Sequence, residues 1–129
     1  MGYRSDVAYT IRFEGDEDEK NRQSFYTFLA EAKSKEEYKI ALDEVTIDEK
    51  NLRFNFSCES VKWYDSFPEV QSHAKLFALG EEYCATLVVP IAGSFLRVGE
   101  DSSDIEEESF GDFDCSWLHV NREIVTDWS

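Results

Sequence analysis

The chain is poor in the residues that punctuate or staple a fold. Two prolines and six glycines are spread over 129 residues. There is no Pro-, Gly- or Ser-rich stretch and no repeat with a period of about 20–50 residues, which excludes a linker-joined architecture and a solenoid. The three cysteines, Cys58, Cys84 and Cys115, are odd in number and widely spaced, with no C-x-x-C and no histidine at zinc-finger spacing. They read as reduced structural thiols, not as a disulfide framework or a zinc site. Long apolar runs are missing as well. The longest, Ala85 to Ala92, is broken by Thr86 and Pro90, and a membrane-spanning helix needs about 20 apolar residues. The opening Met1 to Asp6 has no apolar signal region and carries Asp6 where a myristoylation signal needs Ser or Thr. A cytoplasmic protein is expected.

Positive charge is the scarcest commodity. Thirteen Lys and Arg face 28 Asp and Glu, a formal charge of −15. Such a surface repels phosphodiesters and anionic lipid, which excludes direct nucleic-acid coating and polybasic membrane attachment. What the chain does have is apolar mass: 42% hydrophobic and 15% aromatic residues, too much for a disordered acidic tail. A folded single domain over residues 1–129 with an acidic exterior is the expectation.

Periodicity sets the elements. Val7, Tyr9, Ile11 and Phe13 alternate as in a strand with one buried face. Phe25, Phe28, Leu29 and Ala32 fall on one stripe of a helix over about 20–34. Leu42 to Ile47 and Leu52 to Phe56 flank the turn-like Asp48-Glu49-Lys50-Asn51 and predict a β-hairpin, with Ser60 to Tyr64 as a further strand. Ser66-Phe67-Pro68-Glu69 has the form of a capping box with proline in the first turn, so a second helix is predicted from there to about Tyr83. Ala85 to Val89 reads as a buried strand, Pro90 to Ser94 as a turn into Phe95 to Val98, and Trp117 to Val120 as a last strand reaching toward Ile124. The order predicts an α+β fold, a mostly antiparallel sheet with two helices packed against it.

The negative charge is unevenly placed. Up to Tyr64 there are 14 acidic and 10 basic residues, a net −4; beyond it there are 14 and 3, a net −11. The densest segment, 100–114, holds Glu100, Asp101, Asp104, Glu106, Glu107, Glu108, Asp112 and Asp114, eight carboxylates in fifteen positions with no Lys or Arg among them. A smaller cluster runs from Asp16 to Glu19. Ile105, Phe110 and Phe113 are interleaved with the main cluster and are expected to anchor it, displaying the carboxylates on a fixed surface. Like charges held together cost folding free energy, and few cations in that half could compensate them, so the array points outward, to a partner. Duplex DNA carries one charge per about 3.4 Å of axis on each strand, whereas this segment fully extended carries one per roughly 6 Å. A two-fold homodimer would double the array. The pattern fits a protein that takes the place of DNA on a basic surface, steered there by long-range attraction.

Other chemistry finds little support. Asp16-Glu17-Asp18-Glu19-Lys20-Asn21 imitates a calcium loop but puts Lys20 at a ligand position and Asn21 where glycine is required, and Asp101 to Glu106 also lacks the glycine. Neither His73 nor His119 is placed beside a cysteine by sequence, and no G-x-S-x-G, Walker A, G-x-G-x-x-G or H-E-x-x-H occurs. No enzyme activity, cofactor or metal is expected. Trp63, Tyr64 and Phe67 read as core or dimer-interface aromatics, not as a base-stacking platform.

Three segments together carry a resemblance: Met1-Gly2-Tyr3-Arg4-Ser5-Asp6-Val7; Val61-Lys62-Trp63-Tyr64-Asp65-Ser66-Phe67-Pro68-Glu69-Val70-Gln71; and Leu96-Arg97-Val98-Gly99-Glu100-Asp101 with Asp104-Ile105-Glu106-Glu107-Glu108. They resemble small acidic proteins of tailed bacteriophages, and the chain is similar to the phage-encoded DNA mimics that inhibit bacterial DNA gyrase. The resemblance implies a protein acting in the cytoplasm of the infected host, with a basic DNA-binding surface of gyrase as partner. It carries over no residue-level motif. Acidic inhibitors of restriction, CRISPR or transcription enzymes, and phage accessory proteins without DNA mimicry, are the alternative reading.

Overall fold

In the computed structural model, residues 4–13, 18–86, 91–101, 103–111, 118–120 and 124–126 are described. Five strands form one antiparallel sheet in the order β2-β3-β1-β4-β5, namely β1 (Ser5–Phe13), β2 (Thr46–Asp48), β3 (Arg53–Val61), β4 (Ile91–Gly99) and β5 (Ile105–Phe110). Helices α1 (Asp18–Ser34), α2 (Lys39–Glu44) and α3 (Pro68–Thr86) complete the α+β fold, with a 3-10 turn at Glu36–Tyr38 leading into α2. Among the described residues the helices are three, not two. The extra one lies where Leu42 to Glu44 was expected to be strand. The apolar spacing points both ways, since Leu42 and Val45, three apart, fit a helix whereas Val45 and Ile47, two apart, fit a strand. Packing of α2 against α3 decides it, with the Ala41 amide donating to Ser72 Oγ at 3.0 Å. Val45, extended at φ −75° and ψ 151°, ends the helix and turns the chain into β2.

β1 is the central strand, and that explains its composition. Val7, Tyr9, Ile11 and Phe13 are at most 2% exposed and face the helices. There Phe13, Phe25, Phe28 and Phe54 pack with ring centroids 4.9–6.4 Å apart. The predicted stripe of α1 holds, with Phe25, Phe28, Leu29 and Ala32 all buried. The opposite face of β1 was expected to be solvated, yet Ala8, Thr10 and Arg12 are buried too. A second, two-stranded sheet, in which β6 (Leu118–Val120) pairs with β7 (Ile124–Thr126), lies close to these strands, β6 next to β4 and β7 next to β1 and β4. Polar groups on this face need partners once water is excluded, and Thr10 Oγ1 donates to Asn55 Oδ1 at 2.6 Å.

Other boundaries moved for local reasons. The predicted strand Ser60 to Tyr64 is the end of β3 followed by coil, with Ser60 at φ 54°. α3 starts at Pro68, as its fixed φ favours, but the carbonyl that accepts the first helical bond, from Gln71 N at 3.0 Å, belongs to Phe67 and not to Ser66. Ala85 and Thr86 extend α3 instead of starting a strand; Leu87 to Pro90 lie outside the described residues. Ile91 to Ser94 is strand, not turn. Gly93 misleads because glycine usually marks a turn. Here it is required by close approach, since a Cβ would sit 2.2 Å from Phe110 Cε2.

Candidate functional site: an acidic hairpin at the sheet edge

The acidic segment folds as the turn between β4 and β5 and as β5 itself, the last strand of the sheet. Ladder pairing fixes it: Arg97 lies opposite Glu106, Leu96 opposite Glu107, Phe95 opposite Glu108 and Gly93 opposite Phe110. The hairpin closes with Gly99 N donating to Asp104 O at 2.8 Å. Within the turn, the Asp101 carboxylate accepts from Ser103 N (3.0 Å) and Ser103 Oγ (2.8 Å). Those bonds favour the ionised form and hold Asp101 below the usual carboxylate range.

Arg97 organises the base of the hairpin. Its guanidinium grips Asp104 with two bonds (Nη2–Oδ1 2.8 Å, Nη1–Oδ2 3.2 Å), reaches Glu106 Oε1 through Nε at 3.0 Å and donates to Ser5 Oγ at 3.1 Å. The two carboxylates, Asp104 first, push the Arg97 pKa upward despite burial. Few cations were expected to compensate the cluster, and Arg97 is one that does, pairing with Asp104 and Glu106. Arg97 lies three residues before the acidic segment 100–114, and hairpin pairing brings it across to Glu106. A turn signal at Gly99 to Asp104 combined with strand alternation could have found it.

Glu100, Glu107 and Glu108 are exposed and make no ion pair among the described residues. Anchoring also differs from expectation. Phe110 is buried against Phe77, with ring centroids 5.1 Å apart, but Ile105, opposite Val98 on the face of the sheet away from the helices, is 42% exposed. Asp112, Phe113 and Asp114 lie outside the described residues, as do Asp16 and Glu17. Glu19 is exposed in the first turn of α1, where a carboxylate suits the helix dipole.

A second polar constellation is buried. Tyr9 and His73 are 0% and 1% exposed, with Tyr9 Oη 2.5 Å from His73 Nδ1 and His73 Nε2 2.7 Å from Glu44 Oε1. An ionised carboxylate can only accept, so Nε2 carries the proton and Nδ1 accepts from the tyrosine hydroxyl. Phe56 and Trp63 close over the imidazole, at centroid distances of 4.1 and 5.6 Å. Trp63 is thereby a core-packed residue. Burial lowers the His73 pKa against the opposing pull of Glu44, and burial raises the Cys58 thiol to about 11. Beside it, Glu44, Thr46, Ile47, Asp48, Asn55, Phe56 and Ser57 line an open cleft of about 460 Å3. Among the described residues no group of His, Cys, Asp and Glu is arranged to hold a metal, and no helix is long and apolar enough to cross a membrane.

Because the folded-state pKa of His73 is depressed, the unfolded chain binds the proton more readily. Stability from this group is then full above the unfolded value of roughly 6.5 and falls as pH drops below it. Urea midpoints should decline between about pH 7 and pH 5 in the native protein, and a His73→Gln variant should show a shallower decline. Equal slopes would remove His73 from this role.

No protein-family model, curated protein or solved structure matches this chain. The functional reading therefore rests on the hairpin and on the residues themselves.

Proposed function

We propose that this protein is a phage-encoded DNA mimic, acting in the host cytoplasm, that docks its acidic hairpin on the basic DNA-binding surface of a host enzyme, DNA gyrase being the target. The reading is non-enzymatic and needs no cofactor. The observation that carries it is the placement of Glu106, Glu107 and Glu108 on an edge strand whose far end is fixed by Phe110 in the core. A strand advances about 3.4 Å per residue, so Glu106 and Glu108 on one face stand about 6.8 Å apart. That is close to the axial spacing of every second phosphate on one DNA strand, at about 3.4 Å each. Fixed charges need no ordering on binding, which favours affinity over that of a mobile acidic tail. The choice of gyrase comes from the resemblance of the three sequence segments described above. A homodimer extending the array belongs to the same proposal. Its contact would lie away from β5, where two copies would set Glu against Glu.

Supercoiling by purified gyrase tests the target. The protein should inhibit it at low ionic strength, and inhibition should weaken as salt screens the charges. Full supercoiling at saturating protein in low salt would reject gyrase, and affinity capture from host lysate with DNA as competitor would then separate another DNA-binding target from none.

A further inference from the structure

Strand β5 offers more than charge. Residues Ile105 to Ser109 are all exposed, and among the described residues β5 has a ladder partner on one side only. In an antiparallel pair, opposed residues alternate between those that exchange backbone hydrogen bonds and those that do not. The Gly99 N to Asp104 O bond at 2.8 Å makes 99 and 104 a bonded pair, so with the observed register Arg97–Glu106, Phe95–Glu108 and Gly93–Phe110 are bonded pairs as well. Ile105, Glu107 and Ser109 then turn their backbone groups to the open side. The Ile105 amide is taken by Ser103 O at 3.2 Å. That leaves the Ile105 carbonyl and both backbone groups of Glu107 and Ser109 without a partner among the described residues.

We infer that the outer edge of β5 binds an extended basic segment of the partner protein by strand addition. The inference rests on the proposed docking of this hairpin and names how it is made. Open edges recruit strands, and main-chain bonds supply affinity while alternate side chains supply selectivity. The charges select the occupant. Glu106 and Glu108 lie on the helix side of the sheet and Glu107 on the other, so an incoming strand meets carboxylates on both faces. From 97 to 108 there are six carboxylates and one guanidinium, a net −5. A second copy of β5 would place like charges opposite one another, which is unfavourable, whereas Lys or Arg at alternate positions places opposite charges there. The edge is thus closed to self-association and open to a cationic strand.

The test uses the full chain with a short peptide of alternating Lys and Val at low ionic strength. Amide hydrogen exchange is followed by NMR. Strand addition predicts that the Glu107 and Ser109 amides, fast in the free protein, slow by at least about ten-fold on binding, since each becomes a ladder donor. Ser109→Pro removes one outward donor without altering charge or the ladder to β4, a position where an edge strand tolerates proline. It should weaken the peptide by roughly five- to ten-fold, the equivalent of one lost hydrogen bond, while Ser109→Ala binds as the native protein does. A peptide that binds and leaves both amides at their free rates overturns strand addition, as does absence of peptide binding. If gyrase is inhibited in either case, the docking proposal stands and the mode falls; if gyrase is also unaffected, both fall. The exchange experiment on the native chain decides the matter even if the proline variant does not fold.

Discussion

Gly93→Ala should lower the stability of the whole fold by about 1–3 kcal/mol, the range for a methyl group forced into a packed core. A Cβ on Gly93 would stand 2.2 Å from Phe110 Cε2 and 2.4 Å from Cζ, so the ring must move. It has little room to do so. On its other side a Cβ added at Gly80 would come within 3.0 Å of the same ring, and Phe77 packs across it. The Phe110 ring is thus held between β4 and α3, and displacing it releases the end of β5 that fixes the acidic strand. Phe110→Ala alone should cost about 3 kcal/mol or more. In that background Gly93→Ala should cost less than about 0.5 kcal/mol, because the clash has gone. A double-mutant cycle on urea midpoints measures this coupling. Additive costs would mean that the ring does not rest on Gly93. The same substitution should weaken partner binding, since carboxylates on a loosened strand must be ordered again on docking.

The second large effect separates the acidic residues into two groups. Replacing Glu100, Glu107 and Glu108 together by Gln should weaken binding to the cationic partner by about 1.4–2.8 kcal/mol, or ten- to hundred-fold, if each contributes as an exposed ion pair does. Folding should be unaffected or slightly strengthened, because self-repulsion is relieved. Most of the loss should appear in the association rate and in a reduced salt dependence. Asp104→Asn with Glu106→Gln should behave differently. These residues hold Arg97, which is 16% exposed in its side chain, and removing them leaves a half-buried guanidinium short of acceptors, so stability falls. Exposure of both carboxylates, at 37% and 51%, keeps that fall near 1 kcal/mol. Binding titrations and urea unfolding on both variants check the division. If both variants lose the same affinity and neither loses stability, Arg97 does not distinguish the two groups.

What could be read from the sequence follows from how local the cause was. The stripe Phe25, Phe28, Leu29, Ala32 and the alternation from Val7 to Phe13 were legible because each records burial within one element. The helix at Lys39–Glu44 was not, because Ser72 and the face of α3 that select it are distant in the chain. Gly93 read as a turn, since its reason for being glycine is a ring seventeen positions away. The acidic cluster was visible as composition, and its location on an edge strand followed from the alternation of Phe95 to Val98 only once pairing was known. Arg97 was legible only as one of three cations beyond Tyr64, because strand pairing is what brings it to Asp104 and Glu106. The Tyr9–His73–Glu44 chain had no sequence signal at all, because three elements must fold before its members meet.

The central claim is that this acidic hairpin takes the place of DNA on a cationic protein surface. Displacement of a labelled duplex from purified gyrase, titrated at low ionic strength over a range of DNA concentrations, tests it most directly. The account predicts competitive release, with the apparent dissociation constant rising in proportion to DNA. Gyrase that keeps its duplex at saturating protein, or releases it to the same extent at every DNA concentration, would contradict it.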